Sequence, residues 1–218
     1  MHKLRFRFSK TGRARYISHL DLMATIQRAM LRSNIKLEYS SGFNPHPYMS
    51  VALPLPVGCG SSCELMDIGI KTDVQPDKLP ESINAQLPEG IIIHEAYVPV
   101  RKFKEIAWIE IEGVFCYDEQ EPLNAAAALY ERFSAKSIII SKRTKRGFNN
   151  VDIAPFIRDT SFSGNGPVTI KAKLSAQDPS LNPGNLLSAL EGDFTGLRPD
   201  HTDMTRIEVY DGKMTIFT

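Results

Sequence analysis

At 218 residues, with 42% hydrophobic and 23% charged residues, the chain has the composition of a globular protein rather than a disordered or fibrous one. It is long enough for one large domain or two small ones, and no apolar run approaches the length of a bilayer span. The N-terminus alternates charged and apolar residues without a signal-peptide core, so we expect a cytoplasmic location and no membrane partner. The net charge of +1 excludes a uniformly basic or acidic protein.

The first hundred residues predict the order strand, helix, irregular segment with a strand, strand, helix, strand. Residues 3–9 alternate strictly, with Leu4, Phe6 and Phe8 on one side and Arg5 and Arg7 on the other, which is typical of a half-buried strand. The other regular elements are predicted at 19–33 (helix), 64–72 (strand), 76–86 (helix) and 91–98 (strand).

The first helix has recognisable ends. Ser18 is the expected N-cap, Asp21 completes a capping-box-like pair, and Asn34 is the expected stop. The pattern predicts a polar face formed by Asp21, Thr25, Arg28 and Arg32. The predicted buried stripe consists of Leu20, Met23, Ile26, Gln27 or Met30, and Leu31.

The second half predicts a similar order of elements, although no sequence identity supports a repeat. Its strands are predicted at 107–117, 136–146, 168–175 and 204–212, and its helices at 122–135 and 183–190. We therefore predict an α+β protein made of two ferredoxin-like (βαββαβ) units in tandem, with antiparallel sheets and helices on one face. The expected units are 1–100 and 105–218, and a single mixed sandwich is the alternative.

Residues 39–58, YSSGFNPHPYMSVALPLPVG, form an irregular segment rich in proline. Proline fixes φ and removes a donor, so this loop loses little entropy on ordering and is a suitable platform for a site. Gly42 is suited to a positive φ. The alternative is a stiff lid over the core, with Phe43, Tyr48 and Leu53 as plugs. We refer to residues 39–58 as the Pro-rich segment.

Three cysteines, Cys59, Cys63 and Cys116, indicate reduced thiols rather than a disulfide framework. Their spacing does not match a zinc or iron–sulfur site. The charges are unevenly distributed, because residues 1–32 and 136–148 are strongly basic. These basic segments either converge to bind phosphate or remain separate solvated faces.

The chain resembles the family described as radical-SAM-linked proteins, a domain of unknown function. The resemblance is carried by RFRFSKTGRARYISHLDLMATIQRAMLRSNIKLEYSSGFNPHPYMSVALPLPVG, SKRTKRGFNNVDIAPFI and NLLSALEGDFTGLRPD. Residues matching the family pattern are Arg13, Arg15, Tyr16, His19, Asp21, Gly42, Phe43, Pro45, His46, Pro47, Lys142, Lys145, Gly147 and Asp152. The chain departs from it at Ala154, where a basic residue is expected.

The resemblance implies a partner that carries out radical chemistry on RNA or on a protein of translation. S-adenosylmethionine, an iron–sulfur cluster and cobalamin are expected on that partner, and no cofactor is expected in this chain, which lacks a radical-SAM cluster motif. The domain is then a non-catalytic partner rather than an enzyme.

The residues themselves suggest an RNA-binding module, with no evident DNA specificity. Phosphate is expected at the start of the first helix and the turn before it, and a base at the loop tip. The candidate RNA-binding residues are Lys10, Arg13, Arg15, Tyr16, Arg28, Arg32, Gly42, Phe43, Asn44, Lys142, Arg143, Lys145 and Arg146.

Two other hypotheses stay open. His19 and His46 could act as an acid–base pair in an RNA-processing or nucleotide-modifying enzyme, or could hold a metal together with Asp21. His19 could equally pack over Met23. A protein–protein adaptor is the remaining alternative, and it requires an exposed apolar patch.

Overall fold

The structure is a computed structural model, and it describes residues 2–71, 73–118, 122–144, 147–164 and 167–218. The chain divides into two compact units. The first runs to Glu105 and includes Thr218, and the second is Ile106–Phe217. Both units mix helices with antiparallel strands, so the predicted α+β class is confirmed. Among the described helices, none has the length and apolar character that crossing a membrane requires.

The first unit contains four strands and two helices. They are β1 (His2–Lys10), α1 (His19–Arg32), β2 (Met49–Val51), β3 (Gly60–Ile70), α2 (Leu79–Asn84) and β4 (Ile91–Tyr97). The strands lie in the order β4-β1-β3-β2, and every neighbouring pair is antiparallel. The short strand β2 lies inside the Pro-rich segment.

The core of this unit lies on the face of β1 formed by Leu4, Phe6 and Phe8, which are buried as predicted. Side chains of both helices join the same cluster, including Ile26 of α1 and Ile83 of α2. The two helices therefore cover the same face of the sheet. The other face of the sheet carries the charged residues of β1.

The predicted buried stripe of α1 is confirmed at Ile26 and Met30, and Met23 packs against the core, but the prediction was wrong for Leu20 and Leu31. The buried residues are Leu22, Ile26, Ala29 and Met30. Leu20 is 77% exposed and Leu31 is 49% exposed. Both leucines lie on the side of the helix that carries Gln27, which faces away from the sheet.

The second unit contains β5 (Ile106–Cys116), α3 (Ala125–Phe133), β6 (Ile139–Thr144), β7 (Gly147–Asp152), β8 (Ile157–Ser163), β9 (Val168–Ser175), α4 (Pro183–Ser188) and β10 (His201–Asp211). Its main sheet has the antiparallel order β10-β5-β9-β8. Strands β6 and β7 form a separate two-stranded sheet.

The strand predicted at 136–146 is present as β6, and it pairs with β7 in a hairpin. The strand beside β9 is β8, and neither β7 nor β8 was predicted. The sequence IRDTSFS of β8 is polar, and its register shifts between Arg158 and Ser161, where Asp159 has a φ of 49°. An irregular strand of this kind lacks the apolar alternation that marks a strand in sequence.

Candidate nucleic-acid interface

The turn after β1 carries the first predicted basic residues. It is a 3-10 turn, Gly12–Tyr16, and the backbone N–H of Thr11 before it donates to the carbonyl of Gly90 at 2.8 Å. This hydrogen bond ties the turn to the start of β4. Arg13 is exposed and Arg15 is half-buried. The turn therefore presents Arg13 on a fixed backbone.

Two neighbours of these arginines lie in different environments. Lys10, the last residue of β1, is 3% exposed and does not belong to the accessible surface. Tyr16 is 66% exposed, and its Cε1 lies 4.0 Å from the position that a Cβ would take at Gly58. The N–H of Gly58 donates to the carbonyl of Arg15 at 3.0 Å. The end of the Pro-rich segment thus packs against the basic turn.

The first turn of α1 is capped by its own side chains. The hydroxyl of Ser18 accepts the N–H of Asp21 at 3.1 Å and donates to the Asp21 carboxylate at 2.7 Å, so the predicted cap is confirmed. His19 is the first helical residue and is exposed. The carboxylate of Asp21 in this turn repels an added anion. The arginines are therefore better suited than the start of α1 to bind phosphate.

Arg28 and Arg32 lie on the exposed flank of α1, as predicted. The guanidinium of Arg32 donates to the backbone carbonyl of Gln86 at 2.6 Å and to its side-chain oxygen at 3.3 Å. Both arginines line a cavity of about 440 Å³ beside α2. The remaining lining residues are Thr25, Ala85, Gln86, Leu87 and Pro88.

The first part of the Pro-rich segment is a closed loop. The N–H of Ser40 donates to the carbonyl of His46 at 2.8 Å, and the N–H of His46 donates to the Ser40 hydroxyl at 3.0 Å. Gly42 has a φ of 126°, as predicted, and Asn44 is exposed. Phe43 is fully exposed between them. The expectation that Phe43 plugs the core was therefore wrong, because the loop holds its ring in solvent.

The base of this loop is fixed to β3. Glu38 and Tyr48 exchange backbone hydrogen bonds with Gly69, since the N–H of Glu38 donates to Gly69 at 2.9 Å and the N–H of Gly69 donates to Tyr48 at 2.8 Å. On the helix side, the amide of Gln27 donates to the hydroxyl of Tyr39 at 3.2 Å. The loop is thus anchored to both a strand and α1.

The two predicted acid–base residues, His19 and His46, are both exposed, and among the described residues neither contacts the other. Gln27, which touches the base of the loop, follows His19 by about 12 Å along the helix axis. Across the described ranges no three His, Cys, Asp or Glu side chains are placed to hold a metal. The geometry therefore gives no support to joint chemistry by the two histidines.

The second basic segment lies on the β6–β7 hairpin. Lys142 donates from Nζ to the carbonyl of Ser180 at 2.6 Å, and Arg143 stands opposite Phe148 in the register. Phe148 is 72% exposed. The predicted residues Lys145 and Arg146 lie outside the described residues.

Asp152, at the end of β7, binds backbone donors. Its Oδ1 accepts the N–H of Ile138 at 2.8 Å and that of Ala154 at 3.0 Å. These two donors, with the side chain of Ser137, hold the pKa of Asp152 below its ordinary value. The residue therefore secures the base of the hairpin.

Comparison with known protein families gives one match. Residues 3–183 match the family described as "Uncharacterized protein conserved in bacteria (DUF2344)", which is well over half of the chain. The chain belongs to this family. No curated protein matches it.

In this DUF2344 protein, the sequence did not reveal a buried ion pair on the sheet face opposite the helices. Arg5 was expected to be exposed, but it is fully buried. Its Nε lies 2.7 Å from Asp67 Oδ1, and its Nη2 donates to Asp67 Oδ2 at 3.1 Å and to the carbonyl of Arg101 at 2.9 Å. The guanidinium lies 4.2 Å above the ring of Phe103, and Lys3 reaches Asp67 Oδ2 at 2.8 Å.

A signal for this pair was present in the strand LMDIGI. Asp67 stands among apolar residues, and a carboxylate in such a strand requires a buried cation. Next to the pair, burial raises the pKa of Tyr97, and the charge of Arg5 opposes that change. The open face of this sheet is therefore polar and partly enclosed.

Proposed function

We propose that this chain is an RNA-binding accessory module that presents RNA, of the transfer or ribosomal class, to a radical-SAM partner. The observation that carries the proposal is the fully exposed ring of Phe43 at the tip of a closed loop. Exposing an aromatic ring to water is energetically unfavourable for the free protein. A ring held in this way is well suited to stacking on an unpaired base.

The distribution of charge supports the same function. Arg13, Arg28 and Arg32 are exposed on the first unit, and no acid of α1 other than Asp21 lies among them. Arginine side chains bind phosphate through planar, charge-assisted hydrogen bonds. Tyr16 adds a second exposed ring beside the turn. Aromatic rings next to arginines are the combination that sequence-tolerant binding of single strands uses.

The proposal of a radical-SAM partner rests on the sequence resemblance. On that proposal, S-adenosylmethionine, the iron–sulfur cluster and cobalamin belong to the partner, and this chain supplies substrate binding. The complex would act in the cytoplasm.

An exposed apolar flank favours a role in protein binding as the second candidate. Leu20, Tyr16 and Val57 are all more than half exposed, and the stripe of α1 continues to Leu31. Apolar surface of this kind is typical of an interface. The two functions share Tyr16, but Leu20 and Val57 belong to the apolar flank alone, and Phe43 and Arg13 belong to the RNA-binding surface alone.

We also propose that each unit is a ferredoxin-like unit. The orders β4-β1-β3-β2 and β10-β5-β9-β8 both place the last strand beside the first and the third strand beside the first. The pattern is that of a split βαβ repeat, with the β6–β7 hairpin inserted in the second unit.

Binding of RNA across a salt series tests the function. We expect Phe43→Ala to weaken binding of single-stranded RNA by about 1–3 kcal/mol, the contribution of one stacked base. Arg13→Ala should lower the slope of log affinity against log salt by about 0.7, the contribution of one phosphate contact. Tyr130→Ala and Lys213→Ala, at exposed positions of the second unit, are the matched controls.

Equal affinity and equal salt slope for all four variants would contradict the RNA-binding function. The variant Leu20→Glu then tests the adaptor function separately from RNA binding. If this variant loses binding to a purified radical-SAM partner while Phe43→Ala retains it, the apolar flank binds the protein.

A further inference from the structure

A second cavity, of about 430 Å³, lies on the open face of the first sheet, away from the arginines of α1. Its walls come from four places: Lys3 of β1, the part of the Pro-rich segment around Tyr48, the strand β3 at Asp67 and Gly69, and the turn carrying Lys102 and Phe103. The volume lies within the range of about 300–1,000 Å³ that is usual for small-ligand sites. None of the candidate RNA-binding residues lines this cavity, and Pro47 is the one lining residue that belongs to the family motif.

The floor of the cavity is held rigidly. Asp67 is paired with Arg5 at 2.7 Å below it and with Lys3 at 2.8 Å beside it. Arg5 is fully buried, and its guanidinium packs on the ring of Phe103 at 4.2 Å. Because each of these side chains fixes the next, the floor is organised before any ligand arrives.

The wall formed by the Pro-rich segment approaches β3 closely. A Cβ at Gly69 would lie 3.1 Å from the Cβ of Tyr48 and 3.3 Å from that of Glu38, so a larger residue there would press on both side chains. The N–H of Gly69 donates to the carbonyl of Tyr48 and the N–H of Tyr48 donates to that of Glu38, so these bonds and the close contact hold the tyrosine at the edge of the cavity. Its side chain remains half exposed and available to a ligand.

The charges around the cavity favour an anion. The cations around the cavity are Lys3, Arg5, Arg101 and Lys102, and the carboxylates are Asp67, Glu38 and Glu105. Asp67 is paired with Arg5 and Lys3. Glu105 is paired with Arg101 at 3.3 Å and accepts the backbone N–H of Lys102 at 2.7 Å, so four cations face three carboxylates. The amino group of Lys102 is therefore suited to a phosphate, with a hydroxyl from Ser50 on the same lining.

We propose that this cavity binds a mononucleotide unit, an aromatic base that carries a phosphate. The rings of Tyr48 and Phe103 contact the base, Lys102 and Lys3 bind the phosphate, and the Arg5–Asp67 pair fixes the floor. The ligand is either a free nucleotide or the phosphorylated end of an RNA, since both present the same chemistry. Binding at this cavity does not require the RNA-binding function proposed above.

Calorimetric titration with AMP, GMP, CMP and UMP, with the parent nucleosides and with inorganic phosphate, tests the proposal. We expect at least one monophosphate to bind more tightly than either its nucleoside or phosphate. Lys102→Glu should weaken that binding by about tenfold or more, the loss of one charge-assisted hydrogen bond. Lys104→Glu, two residues further along and outside the lining, is the matched control and should bind as the unmodified chain does.

Tyr48→Ala is the second variant, because it removes the ring while its backbone hydrogen bonds remain. It should weaken the monophosphate and leave phosphate binding unchanged. The proposal is overturned if no monophosphate binds, if phosphate alone binds as tightly, or if the two lysine variants behave alike. If 5′-phosphorylated RNA competes with the bound monophosphate and 5′-hydroxyl RNA does not, the ligand is an RNA end. If neither RNA competes, the ligand is a free nucleotide. Phe43→Ala retains nucleotide binding in either case, which separates this cavity from the loop tip.

Discussion

The floor around Arg5 and the turn around Arg13 carry the same side chain in opposite environments. Arg5 is fully buried and bound by Asp67, by a backbone carbonyl and by the Phe103 ring. Arg13 is exposed on a turn that the backbone alone positions. The first arginine stabilises the fold, and the second is free to bind a ligand.

The difference arises from a partner that is distant in sequence. Asp67 lies opposite Arg5 in the register of β1 and β3, so the pair forms only when the sheet forms. Within the described part of the chain, no carboxylate is placed in the same way for Arg13, because the turn leaves the sheet at Lys10. A basic residue in this chain thus takes its role from the strand beside it rather than from its own neighbours.

Asp67→Ala should have the largest effect on stability. It leaves the Arg5 guanidinium buried without its carboxylate, and breaking such a pair costs about 3–5 kcal/mol. Arg13→Ala should change the free energy of unfolding by about 0.5 kcal/mol or less, as surface changes generally do. Urea unfolding of both variants measures the contrast.

A double substitution, Arg5→Met with Asp67→Leu, is the control for this pair. It removes both charges together, and we expect it to be more stable than Asp67→Ala. If Asp67→Ala costs no more than Arg13→Ala, the buried arginine is reached by water and the comparison fails.

Gly90→Ala should have an intermediate effect, and it acts on the turn. Gly90 has a φ of 87°, and a Cβ there would lie 2.5 Å from the carbonyl oxygen of Thr11. Strain of this kind costs about 1–3 kcal/mol, and relieving it displaces the turn that carries Arg13. Unfolding measurements should show the loss of stability, and RNA titration should show weaker binding.

Gly12→Ala is the matched control for Gly90→Ala. Gly12 also has a positive φ, of 53°, but a Cβ added at this position would meet no neighbouring atom within 4 Å. It should therefore lose less stability than Gly90→Ala. Equal losses would mean that φ alone, and not the contact with Thr11, limits residue 90.

The sequence predicted those features that depend on near neighbours. Ser18 caps α1 and Asn34 ends it with a φ of 59°, because both effects act within one turn of the helix. The alternation of β1 placed Leu4, Phe6 and Phe8 in the core for the same reason. Mixed α+β architecture follows from such local patterns.

Features that depend on distant partners were not predicted. The apolar residues of α1 form more than one stripe, and only the position of the sheet decides that Leu22 and Ala29 are buried while Leu20 is exposed. The burial of Lys10 and Arg5 has the same origin. The candidate cavity at Tyr48 and Lys102 joins residues that no spacing in the sequence connects.

Asp152 offers a third kind of charged site, intermediate between Arg5 and Arg13. Its partners are the backbone N–H groups of Ile138 and Ala154, and they hold its pKa below the ordinary 3.8. A carboxylate with a lowered pKa contributes stability at pH values above its unfolded pKa, and this contribution is lost as the pH falls through the folded pKa.

We expect Asp152→Asn to be less stable than the unmodified chain at neutral pH, and the difference in the free energy of unfolding to close as the pH falls below 3.8. Urea unfolding over a pH series measures the gap, with Glu131→Gln on α3 as an exposed control. A gap that stays constant with pH would show that the hydrogen-bond geometry, and not the charge, of Asp152 secures the hairpin, whereas no gap at any pH would place Asp152 with Arg13 as a side chain that the fold does not need.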